Sequence, residues 1–440
     1  MRGFARLPNL IAATRGRTES AGRTDRAKAP APASRSQTDA VGLAQYALSV
    51  PAARKRPRPD RGMSLPVHDS SAEDHLRETF HSKGRFLVRQ DQWEVLGRLI
   101  RETDINREVT SEGISTASLL AQGARADFVQ AARHAFEDGV RPDGAIISAL
   151  EEAVDDDPGC WGIAVVAAQA HMDIALASLG KRRPTTRPPM DSPVFRHHFK
   201  RAGEILDPFC SVEQGSPLLA AARCDLLMGA ADATDRVTDE FEDLIDLDPG
   251  NPHHMRRFGL ALLPRWFGSF EALDDAAHAT AERVEDLWGE GGYTWVWFDA
   301  VRAVPEAAGR LDVDRYLEGI DDILERRGTQ HIVNLMAAHT GLVMDRTAAP
   351  EQIAPAARHI RAQINARFAP ILRHRLHELH PRHWAEAQLS PFVALPDTET
   401  LDEEGGAVAR TLIMRALYKE LTAGHRIAFT PEGMKVLAPA

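Results

Sequence analysis

The chain has 440 residues, 43% hydrophobic and 26% charged, with 31 Gly, 27 Pro and a formal charge of -10. Such a length buries a large core in two or three domains, or in one elongated array, without disulfide or metal staples. The composition excludes a wholly disordered, collagen-like or membrane-embedded protein.

The net charge hides an asymmetry: residues 1–62 carry 13 Lys/Arg against 4 Asp/Glu, which leaves 40 against 59 in residues 63–440. A body that acidic repels phosphate backbones, so no nucleic-acid partner is expected. The three cysteines, Cys160, Cys210 and Cys224, are too few and too unevenly spaced for a disulfide framework or a CxxC metal site, which predicts a reducing, cytoplasmic location. The longest run without Asp, Glu, Lys or Arg, Pro158 to Met172, is 15 residues. A membrane span needs about 20, so none is expected.

Residues 1–62 are rich in Arg, Ser, Thr, Ala and Pro and end in the basic run Arg54-Lys55-Arg56-Pro57-Arg58, with too little apolar surface to order themselves. They are expected to be dispensable for folding. Leu10-Ile11-Ala12-Ala13 stops at Thr14 and Arg15, too short for the apolar stretch of a secretory signal. A transit-like presequence, a basic tail for an anionic surface and a start placed too far upstream remain as readings. The change of composition at Met63-Ser64-Leu65-Pro66 favours the last.

From Phe86 onward the apolar residues recur at helical spacing. Trp161, Ala164, Val165, Ala168, Met172, Ala175, Leu176 and Leu179 fall on one stripe, and Val313, Tyr316, Leu317, Ile320, Ile323 and Leu324 on another. Helix stops separate them: Gly139 to Pro142, Asp157-Pro158-Gly159, Asp207-Pro208, Asp248 to Pro252, Gly289 to Gly292 and Arg327-Gly328. With no convincing strand alternation, the expected fold is all-α. The regions are a basic segment (1–62), an N-terminal helical region (63–144), paired helices (145–345), a C-terminal helical region (346–425) and a tail (426–440).

Val237, Phe241, Leu244 and Pro249 stand at spacings of four, three and five, and Ile146, Leu150, Ala153 and Pro158 repeat them. After Pro249, Met255, Phe258, Gly259 and Leu262 supply an apolar, apolar, Gly, apolar helix. The unit Leu218 to Asn251 is 34 residues long, preceded by a Ser216-Pro217 helix start. Over residues 145–345 the chain therefore resembles divergent tetratricopeptide-like (TPR-like) helical-repeat proteins. It departs from their pattern at Asp225, which stands where the small Gly would be, and no unit has the Trp, Gly and Tyr of the first helix together. The resemblance implies an α-solenoid of antiparallel helix pairs whose first helices line a concave surface. Phe241 is then the wedge between its own pair and Cys224, Phe258 and Leu262.

No Gly-rich phosphate loop, GxGxxG, GxSxG or CxxC occurs, so no cofactor and no catalytic residue is assigned. His374, His377, His380 and His383 recur every three residues and invite a metal. On a helix only neighbours such as His374 and His377 share a face, and Arg373, Arg375 and Arg382 make the surroundings cationic. A metal-dependent hydrolase built on His374, His377 and Glu378, completed by His339 or His359, is the alternative function. The adjacent pairs His197-His198 and His253-His254 each predict one inward and one outward ring. Tyr293, Trp295, Trp297 and Phe298 either all pack in the core, as bulky aromatics usually do, or divide between core and groove. The leading expectation is a non-enzymatic adaptor whose groove, lined by Arg223, His253, Arg257, Trp297, Gln330 and Asn334, binds a protein or peptide.

Overall fold

The computed structural model describes residues 62–439 apart from 141, 143, 181–183, 185, 189–191, 346–352 and 394–397. All described residues belong to the unit spanning 46–440. The expectations for residues 1–61 lie outside them.

The described chain is mostly helical. Helices α1 (Ser71–Arg89), α2 (Trp93–Ile105), α3 (Thr116–Glu137), α4 (Ala145–Asp156), α5 (Trp161–Ala177) and α6 (Pro193–Leu206) come first. The short α7 (Ser211–Gln214) leads to α8 (Pro217–Leu226) and α9 (Ala233–Leu247), then α10 (Pro252–Ala261) and α11 (Phe270–Arg283). After one turn, α12 (Glu285–Trp288), come α13 (Gly291–Ala303), α14 (Val313–Arg327) and α15 (Gln330–Ala338). The C-terminal part holds α16 (Pro355–Asn365), α17 (Phe368–His374), α18 (Pro381–Glu386), α19 (Thr398–Ala416) and α20 (Tyr418–Thr422).

The sequence stops fall at or beside helix boundaries, and local chemistry shows why. Ser216 accepts a hydrogen bond from the Leu219 amide while Pro217 occupies the first turn of α8; Asn251 and Pro252 do the same for α10. Helix α5 corrects the stripe drawn from sequence: its residues are buried on every side from Trp161 to Met172, and it ends at Ala177 rather than Leu179. Small residues let backbones touch. A Cβ on Gly259 of α10 would lie 1.8 Å from the carbonyl oxygen of Val296 in α13, so any larger side chain forces these helices apart.

Strands are the second correction, because residues 426–440 are not simply a tail. β2 (Arg426–Thr430) pairs antiparallel with β3 (Gly433–Leu437) and parallel with β1 (Met63–Ser64). Ile427 and Phe429 alternate inward, a period-2 signal only five residues long whose partner β1 lies at the other end of the described chain. Beyond the sheet, the Leu379 amide donates to the Pro66 carbonyl and the His68 amide to the Leu379 carbonyl, both at 2.8 Å. Arg382 grips Asp74 through two bonds of 2.8 and 2.9 Å, and the Ser70 hydroxyl donates to Asp402. The N- and C-terminal parts of the described chain are thus fastened directly to each other.

Candidate functional site

Two neighbourhoods gather chemistry-bearing side chains. The first is a groove of about 1020 Å³ to which α3, α5, α8 and α10 each contribute. Its floor carries two ion pairs: Arg125 Nε reaches Asp173 at 2.7 Å, and Arg257 reaches Asp225. The Asp225 side chain lines the groove and keeps 44% of its surface open. The protein around it raises its pKa, and the Arg257 guanidinium works against the rise. Aromatic walls stand on either side. Trp266 packs against Phe267 and Phe392 with centroids 5.9 and 5.8 Å apart, and Phe241 lies under the Arg257 guanidinium. The buried indole N–H of Trp266 has no acceptor among the described residues.

The second neighbourhood lies where the two ends meet. Because Val67 pairs in parallel with Leu379, period-2 alternation puts Glu378 and His380 on one face while Leu379 is fully buried. His68 stacks on His380 with centroids 4.1 Å apart and planes 2° from parallel. His380 Nε2 is 3.1 Å from Glu378 Oε1, and His68 Nδ1 is 3.7 Å from the same oxygen. One turn on, His383 Nε2 meets His331 Nδ1 at 2.9 Å. Burial lowers the pKa of His331 to about 2, helped by repulsion from His383 and His380. Burial likewise lowers His380, with Glu378 pulling the other way, so both rings are neutral at pH 7.

The predicted groove residues separate between these places. Arg257 lines the groove; His253 does not line it and is exposed, its pKa lowered by the surrounding protein and then by Arg257 and Arg256. Arg223 does not line it; its guanidinium binds Glu240 of α9. Trp297 is fully buried and donates to Asp274 at 3.3 Å, and Tyr293, Trp295 and Phe298 are buried with it, so the all-core reading holds for this aromatic run. A helix crowded on both faces, by α10 and α11 on one hand and α14 on the other, has no face left for a ligand.

Gln330 and Asn334 are clamps instead. The buried Asn334 amide donates to the carbonyls of Gln330 and Glu378 at 2.9 Å each and accepts from the His380 amide and the Trp384 indole at 2.9 and 3.1 Å. Gln330 Oε1 accepts from the amides of His377 and Glu378, while its Nε2 donates to the Arg375 carbonyl. The histidine run is therefore not a continuous helix: α17 ends at His374, the clamped segment follows, and Pro381 opens α18. The helical spacing on which the pairing of His374 with His377 rests therefore stops at His374. The metal-competent trio that converges among the described residues is His68, Glu378 and His380. His339 is committed elsewhere, bonded to the Tyr316 hydroxyl at 2.7 Å and stacked on Phe298.

His68 was beyond sequence reasoning, since the only signal for it is a backbone pairing across more than three hundred residues. The adjacent histidines each divide inward and outward: His197 is exposed while His198 turns toward His171 at 2.9 Å, and His254 is buried against Asp248 beside the exposed His253. The three cysteines are unpaired, and among the described residues no helix is long and apolar enough to cross a membrane. Compared with known proteins, the chain matches no family model, no curated protein and no solved structure.

Proposed function

We propose that this protein is a non-enzymatic, TPR-like helical-repeat adaptor of a reducing, cytoplasmic compartment that holds an extended peptide segment of a protein partner in the groove between α3 and α10. The observation that carries this reading is the groove itself. Helices α3, α5, α8 and α10, with Phe199 of α6 and Phe241 of α9, contribute residues to one concavity, the kind of surface that stacked helix pairs present in a solenoid. Its volume of about 1020 Å³ suits several residues of an extended chain. The aromatic walls fit apolar side chains, and the floor pairs Arg257–Asp225 and Arg125–Asp173 can exchange partners with charged groups of the peptide. Asp225, the departure from the repeat pattern, is one of these floor residues.

Selection from a displayed random-peptide library, followed by fluorescence polarisation on the winning peptides, tests the proposal. Enriched peptides should combine aromatic or aliphatic residues with a charged one. Arg257→Ala and Trp266→Ala should each weaken binding at least about tenfold, as loss of a binding hot spot does, while Arg223→Ala leaves it unchanged. Peptides insensitive to both groove substitutions would refute the assignment.

A further inference from the structure

The trio at the junction of the two chain ends has the composition of a metal site. We infer that His68, Glu378 and His380 bind one divalent transition-metal ion of the zinc class, which staples the segment before α1 to the segment before α18. Two imidazoles and one carboxylate are the donors that such ions take, whereas Mg²⁺ and Ca²⁺ prefer oxygen throughout. The donor atoms already lie within 4.8 Å of one another.

Three features argue that the arrangement is built rather than incidental. Parallel backbone bonds on both sides of Leu379 fix the register of His68 against Glu378 and His380. Asn334 and Gln330 hold the backbone of residues 375–380 from outside, the supporting layer that metal ligands need. The neighbouring cations are turned away: Arg382 is neutralised by Asp74, Arg373 by Glu420, and Arg375 points to the Leu324 carbonyl. The buried Nδ1 of His380 meets no hydrogen-bond partner, so the ring is not fully satisfied as it stands.

Binding requires one local change. An ion cannot lie in the planes of two parallel rings 4.1 Å apart, so the His68 ring must rotate out of its stack. That side chain is 35% exposed and has room to turn, and Glu378 is equally open, which gives the ion a path in and a free position for water. The site joins elements far apart in sequence, so an ion there opposes separation of the chain ends as a cross-link does.

The test uses the full chain, stripped with chelator, titrated with ZnCl₂ by calorimetry and with CoCl₂ by visible absorption. One ion per chain is expected, with cobalt bands typical of a low-coordinate nitrogen/oxygen site, a higher Tm, and slower hydrogen exchange at His68 and Leu379. His68→Ala and Glu378→Gln, both at half-open positions where folding should survive, should each weaken zinc by more than the roughly 10–100-fold typical of an outer-layer substitution. Gln330→Ala should fall within that range, and the double variant His374→Ala/His377→Ala should bind as the wild type does. Absence of stoichiometric zinc in the wild type, equal affinity in His68→Ala, or loss in the His374/His377 variant would each overturn the site. Stoichiometric binding without slower exchange at His68 and Leu379 would overturn its role as a staple.

Discussion

The groove and the junction of the chain ends use their polar side chains in opposite ways. In the groove, charged side chains pair with each other across helices and stay open to water, as Asp225 does with Arg257. At the junction, amide side chains bind backbone: Asn334 spends its donors and acceptor on Gln330, Glu378, His380 and Trp384, out of contact with water. Open ion pairs contribute little to stability and can change partner, whereas a buried amide that satisfies backbone groups cannot be removed without stranding them. The groove is thus suited to exchange and the junction to holding geometry.

The largest effect should come from the groove wall's packing. Phe241 is 3% exposed and stacks on Phe258 with centroids 5.2 Å apart, so Phe241→Ala should cost about 3–5 kcal/mol in denaturant unfolding. Hydrogen exchange should show deprotection concentrated between Leu218 and Trp288, with α19 beyond Leu412 nearly unchanged; uniform loosening would contradict nearest-neighbour stacking. Asn334→Leu comes next, at roughly 3 kcal/mol, because it strands the Glu378 carbonyl, the His380 amide and the Trp384 indole. Its exchange signature should appear at Leu379 and His68 and leave α8 and α9 untouched.

Acidity should separate the junction from the rest of the fold by sign. His380 and His331 have pKa values lowered in the folded state, so their contribution is intact above about 6.5 and is lost as pH falls toward the folded values. The buried Asp104, which accepts from the Ser216 hydroxyl and the Leu218 amide, behaves in reverse: burial raises its pKa to about 6. Its contribution is full below about 4 and is lost as pH rises through about 6, a swing on the order of 3 kcal/mol. Asp104→Asn should therefore be more stable than the wild type at pH 7.5 and no more stable at pH 4, measured by urea midpoints. At the same time, protection factors at His68 and Leu379, which correct for the intrinsic pH dependence of amide exchange, should fall on acidification below pH 6.5. The smallest stability effect belongs to Arg257→Met, under about 1 kcal/mol, because it breaks a half-open pair; a larger loss would mean that the groove's ion pairs are structural like the junction's amides.

Much of the helical layout was legible from short-range chemistry. Pro217, Pro249 and Pro252 and the apolar spacing around Val237, Phe241 and Leu244 act within one or two turns, so they mark α8, α9 and α10 without reference to the rest of the chain. Gly259 stands in the sequence as the small residue of the apolar helix after Pro249, and only a missing side chain lets α10 and α13 approach so closely there. The groove was half legible: Arg257 was assigned to it, and Asp225 was noticed only as a misfit. Arg223 sits two positions before Asp225, which turns it some 200° around α8 toward α9.

Sequence by itself determined the helical class, a number of the helix boundaries and the absence of the familiar nucleotide and nucleophile motifs, because caps, breakers and period act locally. Only the tertiary structure decided that Trp297 lies in the core, that Gln330 and Asn334 clamp a loop, and that His68 stands against Glu378 and His380. A side chain's neighbours depend on which helices pack against its own, and the closure of β1 on β2 joins segments with no shared local pattern. Period and propensity carry no information about a contact made across the length of the chain.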